Sequence, residues 1–178
     1  MRSEDDKCNV YLVGLMAAGK TTLGKALARR LAYHFIDSDH EVEVRTGVSL
    51  TTIFEIEGEE GFRKREAQVI ADLAGVRRHV VATGGGAVLR PENRQHLRAS
   101  GVVIYLDVPL STLYERTRND KKRPLLQVSD PRQRLRELHA QRDPLYREIA
   151  DIVVSGSRIT VQSVLNLLIK EVGEPWKR

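Results

Sequence analysis

The sequence VYLVGLMAAGKTT, at residues 10–22, determines how the chain folds. Its first four residues are apolar or aromatic and favour a short buried strand that ends before Gly14. Leucines then recur every four residues from Leu23 to Leu31 and predict an amphipathic helix. The segment between the strand and the helix matches the pattern G-x-x-x-x-G-K-[ST], which is typical of a phosphate-binding loop.

The residue types in this loop suit a phosphate ligand. Gly14 and Gly19 let the loop turn back, so that backbone N–H groups converge on phosphate oxygens, and the next helix adds the positive end of its dipole. Lys20 supplies a cation for the β- and γ-phosphates, and the Thr21 hydroxyl is a ligand for Mg²⁺. The loop therefore indicates a nucleoside triphosphate site rather than an ordinary glycine-containing turn.

Short apolar runs alternate with helical patterns along the rest of the chain, and they predict further strands at residues 34–36, 80–82, 102–106 and 152–154. A charged helix is predicted over about residues 57–74, and Ser38 followed by Glu41 has the spacing of a capping box that begins another. Strands separated by helices form right-handed βαβ units. We therefore expect one domain over residues 1–178, with its core at 8–172, as a three-layer α/β/α fold with a five-stranded parallel sheet.

The composition is that of an ordinary globular protein, with 41% hydrophobic and 30% charged residues among 178. The single cysteine, Cys8, excludes an intrachain disulfide framework and is expected to be a small buried apolar residue. No apolar run is long enough to cross a bilayer, and the first residues contain no apolar signal core. We therefore expect a cytoplasmic protein without a membrane partner.

The net charge of +5, from 29 basic and 24 acidic residues, fits either a nucleic-acid partner or anionic substrates. Only 5% of the residues are aromatic, and none of them interleave with basic residues as a base-stacking surface requires. The charge therefore favours an enzyme with anionic substrates and no nucleic-acid partner.

Functional residues are expected where strands end, because parallel sheets bind ligands beyond their carboxyl edge. Asp37 and Asp39 follow the second strand two residues apart, so both carboxylates face the same way if the backbone is extended. One carboxylate then suits Mg²⁺ and the other an acceptor hydroxyl, although capping of the next helix explains the pair equally well. Three glycines at residues 84–86 follow the third strand; they suit a backbone that approaches a ligand closely, and a loose turn is the alternative.

Arg63 and Arg142 fall on predicted helices that hold many other basic residues, where a solvated charge is the simpler interpretation. They become a functional pair only if the acceptor carries a carboxylate, which a guanidinium binds through two hydrogen bonds. Arg123 lies in a basic loop that is either a solvated connection or a mobile lid; in a lid, this arginine would close over the transferring phosphoryl group.

In this order the motifs resemble the shikimate kinases, a family of bacterial single-domain P-loop kinases of small molecules. The resemblance covers nearly the whole chain, residues 9–171. The phosphate loop alone is common to many kinases, whereas the ordered combination is far more selective. The matching segments are GLMAAGKT (14–21), DSD (37–39), GEEGFR (58–63) with Glu66, ATGGG (82–86), RT (116–117), KRPLL (122–126) and RDPLY (142–146).

The resemblance implies ATP-dependent phosphorylation of the 3-hydroxyl of shikimate, on the route to chorismate and the aromatic amino acids, by a monomer that uses ATP and Mg²⁺. It implies that Asp39, Lys20 and Arg123 are catalytic, with Asp39 as the base or orienting group. It also implies a shikimate-binding region over about residues 38–66 and a lid over about 117–129.

Further roles follow from the same resemblance. The implied nucleotide-binding residues are Gly14, Ala17, Ala18, Gly19, Lys20, Thr21, Thr22, Arg116 and Arg123, with Arg116 stacked on the adenine and residues 155–158 completing its pocket. The implied shikimate-binding residues are Asp39, Arg63, Gly84, Gly85, Gly86 and Arg142, with the two arginines on the carboxylate. The implied metal-binding residues are Thr21 and Asp37.

One residue departs from the family pattern, and two other function classes stay open. Ala17 stands where the family usually has glycine, and its Cβ is tolerated if φ is negative. A P-loop kinase of gluconate or of a nucleoside monophosphate would share the sheet and the phosphate loop. A nucleotide-gated binding module, with ATP as a switch, would explain the basic charge but not the acceptor-site residues.

Overall fold

The structure is a computed structural model that describes residues 9–121 and 123–172. The expectation for Cys8 lies outside these residues. In chain order the elements are β1 (Asn9–Val13), α1 (Lys20–Leu31), β2 (His34–Asp37), α2 (Ser38–Thr46), α3 (Leu50–Ala74), β3 (His79–Ala82), α4 (Pro91–Ser100), β4 (Gly101–Asp107), α5 (Leu110–Thr117), α6 (Pro131–Ile149), β5 (Ile152–Ser155) and α7 (Val161–Val172). Short 3₁₀ turns occupy Ala87–Leu89 and Pro124–Leu126.

The five strands form one parallel sheet in the order β2-β3-β1-β4-β5. The predicted fold class is confirmed. Strand β1 lies at the centre, and the chain moves to one side of it for β2 and β3 and to the other side for β4 and β5. The strand order therefore reverses beside β1, at the position where sheets of this type bind ligands.

The core of the domain surrounds the two central strands. All five residues of β1 and six of the seven of β4 are buried, because helices cover both faces of the sheet. Helices α1 and α7 contact each other, while α4 contacts both α3 and α6. Among the described residues, no helix has both the length and the apolarity needed to cross a bilayer.

The predicted charged helix over about residues 57–74 matches the part of α3 that follows a kink, whereas the sequence pattern does not predict the helical segment that begins at Leu50. The helix contains a kink at Gly58, whose φ of 70° and ψ of −178° are not helical. β-Branched residues at 51–53 and this glycine weaken the local helical pattern. The side chain of Ser49 caps the first turn, and Ile53 is buried. Capping and tertiary packing therefore stabilise the first part of α3, which the local sequence does not predict.

The predicted capping box at the start of α2 is also wrong. The cap is Asp37, whose side chain accepts hydrogen bonds from the backbone N–H groups of Asp39 and His40. The Ser38 hydroxyl instead accepts a 3.0 Å hydrogen bond from the backbone N–H of Gly84, on the loop after β3. This serine therefore joins two loops at the carboxyl edge of the sheet.

Candidate active site

A cavity of about 1000 Å³ opens at the carboxyl edge of the sheet. Within the described part of the chain, every predicted site residue except Gly14 lines it. These residues are Ala17, Ala18, Gly19, Lys20, Thr21, Thr22, Asp37, Asp39, Arg63, Gly84, Gly85, Gly86, Arg116, Arg123 and Arg142. The predicted residues thus come together, although they derive from distant parts of the chain.

The phosphate loop reaches the cavity between β1 and α1. The Lys20 ammonium donates two 2.7 Å hydrogen bonds, to the carbonyl oxygens of Gly14 and Leu15. Lys20, near the end of the phosphate loop, therefore stabilises the start of that loop. Burial lowers the pKa of Lys20 to about 8, an effect that the nearby Asp39 carboxylate opposes. The side chain therefore remains mainly protonated at neutral pH and provides a buried cation beside the loop.

The conformation of Ala17 differs from the sequence expectation. Its φ is +62°, in the left-handed region, and not negative as the tolerance of a Cβ at this position requires. This conformation costs an L-residue with a Cβ roughly 1–2 kcal/mol. The loop therefore holds alanine under backbone strain at this position.

Asp37 both caps α2 and contacts the phosphate loop. One oxygen of its carboxylate caps α2, while the other accepts a 2.6 Å hydrogen bond from the Thr21 hydroxyl. Thr21 and Asp37 thus present adjacent oxygen atoms at the edge of the phosphate loop. Hard oxygen donors of this kind are the ligands that Mg²⁺ prefers, so these residues fit such an ion.

Asp39 is not the capping residue, and its side chain lies deep in the cavity. Its Oδ1 atom is buried and has no hydrogen-bond partner among the described residues. Burial first, and then the neighbouring carboxylates of Glu66 and Asp37, raise the pKa of Asp39 to about 7. A carboxyl group with this pKa can accept a proton at neutral pH, as a general base must.

Arg63 and Arg142 are both buried, so their interpretation as solvated charges is wrong. The residues have 6% and 2% of their surface exposed. Arg63 donates hydrogen bonds of 2.8 Å to Glu66 and 3.1 Å to Glu59. The Nε atoms of both arginines are buried and lack a partner within the described ranges. Two buried guanidinium groups that keep donors free are suited to an anionic ligand.

The glycines at 84–86 make room for the functional side chains of the site itself. A Cβ on Gly84 would lie 2.5 Å from both Asp39 Oδ1 and Glu66 Oε1, and one on Gly86 would overlap the Arg63 guanidinium. At Gly85 it would make only an ordinary 3.4 Å contact with Arg142 Nη1. The loose-turn alternative is therefore wrong for Gly84 and Gly86.

Two further arginines border the nucleotide side of the cavity. Arg116 donates hydrogen bonds of 2.9 Å to the Ala17 carbonyl and 3.0 Å to the Ser157 carbonyl, and so joins the phosphate loop to the β5–α7 loop. Arg123 donates a 2.8 Å hydrogen bond to Asp120 and lies near enough to Lys20 to lower its pKa. Ile159, Thr160 and Val161 also line the cavity, directly after residues 155–158, whose place in an adenine pocket stays a prediction.

Sequence reasoning assigned no role to several residues of the site. Glu66 is fully buried, and its position three residues after Arg63 on one helix was the available signal for an ion pair. Phe54 and Phe62 line the cavity with their rings 4.9 Å apart, on either side of the kink in α3. No local pattern distinguishes these aromatic residues from ordinary core residues.

Comparisons with known proteins point to one family. A family model described as shikimate kinase matches residues 16–172. The shikimate kinase of Dechloromonas aromatica is 59% identical over 163 residues, which cover 92% of this chain and 89% of that protein. That of Burkholderia lata is 54% identical over 172 residues, covering 97% and 94%.

Solved structures show the same relationship. The chain is similar to the shikimate kinase from Acinetobacter baumannii in complex with shikimate, with a TM-score of 0.89 and 46% identity over 92% of this chain and 94% of that one. A gluconokinase from Sinorhizobium meliloti has a TM-score of 0.55 at 17% identity, over 94% of this chain and 91% of that one. The likeness to the gluconokinase extends to the fold alone.

Ala17→Gly tests the left-handed conformation of the phosphate loop. Glycine relieves strain of about 1–2 kcal/mol but adds about 0.5–1 kcal/mol of unfolded-state entropy. We expect the free energy of unfolding, measured in urea, to stay constant or to rise by up to about 1.5 kcal/mol. The control is Ala18→Gly, at a buried neighbour without a positive φ, which should lose stability. An equal loss in both variants would contradict the assigned conformation.

Proposed function

The chain belongs to the shikimate kinase family, and we propose that it transfers the γ-phosphoryl group of ATP to the 3-hydroxyl of shikimate, giving shikimate 3-phosphate and ADP. One observation carries the acceptor side of this proposal. Asp39, Arg63 and Arg142 share one cavity with the phosphate loop, and each presents a buried polar atom without a partner among the described residues.

Shikimate carries one carboxylate and three hydroxyl groups, and the acceptor half of the cavity suits both. Arg63 and Arg142 bind the carboxylate, because their free guanidinium donors are buried in the same cavity. Asp39 accepts a hydrogen bond from the reacting hydroxyl. The glycines at 84–86 have no side chains, so the backbone of this loop can lie against the shikimate ring beside Asp39 and Arg63.

ATP binds with its phosphates in the loop at residues 14–21, where Lys20 and the amino end of α1 supply positive charge. Arg116 and the wall at Ile159 and Val161 border the space for the base. Thr21 and Asp37 would hold Mg²⁺, which when bound neutralises charge on the phosphates.

In the reaction, the 3-hydroxyl oxygen attacks the γ-phosphorus while the bond to the β–γ bridging oxygen breaks, and ADP leaves. The hydroxyl proton passes to the Asp39 carboxylate, whose raised pKa makes it a competent acceptor. Lys20 and Arg123 stabilise the negative charge of the phosphoryl group. Arg123 lies on the lid, whose closure excludes water and so prevents transfer to solvent.

Acceptor-dependent release of ADP tests this function directly. ATP and Mg²⁺ are incubated with shikimate, gluconate, a nucleoside monophosphate or no acceptor. We expect release only with shikimate, because its carboxylate and hydroxyls match the two arginines and Asp39. Release with gluconate or a nucleotide would favour the second kinase class, and bound ATP without any release would favour a nucleotide-gated module.

The two buried arginines predict a specific kinetic defect. Removing either guanidinium, in Arg63→Ala or Arg142→Ala, should raise the KM for shikimate at least about tenfold, since charged hydrogen bonds are worth about 1.5–3 kcal/mol. The KM for ATP should change little. Steady-state kinetics with each substrate varied in turn provide the measurement, and an unchanged shikimate KM in both variants would remove the carboxylate-binding role.

Two controls separate loss of this contact from general damage. Arg90→Ala removes a partly buried arginine that pairs with Glu60 and Glu92 but does not line the described cavity wall, and it should leave both KM values unchanged. Gly86→Ala keeps the Arg63 guanidinium but displaces it, so this variant should reproduce the defect of Arg63→Ala.

Asp39→Asn tests the proton acceptor. An amide cannot take the hydroxyl proton, so kcat should fall by about 10²–10⁴ while ATP still binds. The control is Asp107→Asn, at the end of β4, where the carboxylate pairs with Arg147 outside the cavity wall. Near-normal turnover of the Asp39 variant would rule out this role.

The remaining sequence expectations stay predictions. They are a monomeric enzyme, a cytoplasmic location, and the absence of nucleic-acid and membrane partners. The excess of basic residues, which first suggested a nucleic-acid partner, is consistent with steering of two anionic substrates toward the cavity.

A further inference from the structure

We propose that Tyr146 is a positioning residue of the acceptor site, whose hydroxyl ties the Arg142 guanidinium to the glycine loop at residues 84–86. The inference rests on the proposed function, because it assumes that Arg142 binds the acceptor. Tyr146 itself does not line the described cavity wall, so it acts through the residues that do.

The hydroxyl of Tyr146 connects two elements that are distant in sequence. Arg142 and Tyr146 lie one turn apart on α6, and both are buried. The Tyr146 hydroxyl donates its proton to the carbonyl oxygen of Gly85, which is 61 residues away. The Tyr146 hydroxyl and the Arg142 guanidinium also interact electrostatically, and this interaction opposes the burial that lowers the pKa of Arg142.

Two side chains from distant elements hydrogen-bond to the backbone of the glycine loop. Ser38 accepts a hydrogen bond from the Gly84 N–H, and Tyr146 donates one to the Gly85 carbonyl. The Arg142 guanidinium lies beside the open face of Gly85, since a Cβ added to this glycine would be 3.4 Å from Nη1. Loss of the Tyr146 hydroxyl therefore releases the glycine loop at Gly85, next to the Arg142 guanidinium.

Tyr105 provides a matched control within the same aromatic pair. Its ring lies 4.9 Å from that of Tyr146, and its hydroxyl donates a 2.8 Å hydrogen bond to Asp143. Asp143 also accepts a 3.0 Å hydrogen bond from Arg147. Tyr105→Phe thus removes a comparable hydroxyl without touching Arg142 or Gly85.

Tyr146→Phe is the test, with kinetics measured for each substrate and thermal unfolding measured in parallel. We expect the KM for shikimate to rise about fivefold to tenfold, which corresponds to about 1–1.4 kcal/mol. The KM for ATP should not change, and kcat should stay within about twofold. Tyr105→Phe should lose similar thermal stability with both KM values unchanged.

A double variant shows whether the effect passes through Arg142. In an Arg142→Ala background, Tyr146→Phe should add less than about twofold to the KM, because the group that it positions is gone. Equal KM defects in Tyr146→Phe and Tyr105→Phe, or fully additive defects in the double variant, would overturn the inference. If Tyr146→Phe does not fold, a purely structural role is indicated and the inference also fails.

The two proposals fail in distinguishable ways. Wild-type protein that releases no ADP with shikimate contradicts the proposed function. Wild-type turnover together with an unchanged shikimate KM in folded Tyr146→Phe contradicts only the positioning role.

Discussion

The steric constraint at residues 84–86 governs the acceptor half of the cavity. A side chain on Gly84 would collide with the carboxylates of Asp39 and Glu66, and one on Gly86 would overlap Arg63. The glycines thus serve less to give the loop flexibility than to admit buried charged groups beside it. Glycine loses more conformational entropy on folding than other residues, but any other residue would place a Cβ in the space that these charged side chains occupy.

The sheet register places this glycine loop beside the phosphate loop. Strand β1 pairs with β3 so that Leu12 lies opposite Ala82, and the Leu12 carbonyl accepts hydrogen bonds of 3.1 Å and 2.9 Å from the N–H and hydroxyl of Thr83. The two loops therefore leave the sheet at the same level. The spacing between the phosphoryl donor and the acceptor pocket is consequently set by backbone hydrogen bonds of rigid strands rather than by the loops themselves.

The site concentrates buried charges that a stable core would avoid. Burial is the main cause of the altered pKa of Lys20, Asp39 and Arg142. The pairing of Arg63 with Glu66 compensates only part of this cost, because one polar atom on each side chain lacks a partner among the described residues. Such a site is preorganised for charged ligands, and the buried strands β1 and β4 supply the compensating stability.

The sequence patterns alone determined the strand–loop–helix unit at residues 10–22, the parallel sheet and the cavity residues that follow strand ends, whereas the arginines of the cavity were implied by the family resemblance. These features depend on short-range periodicity and on residues that follow strand ends, which a linear pattern records. Tertiary structure alone decided the burial of Arg63 and Arg142, the left-handed φ of Ala17 and the contact of Tyr146 with the glycine loop. Each of these depends on packing between segments far apart in the chain, so no local pattern carries the information.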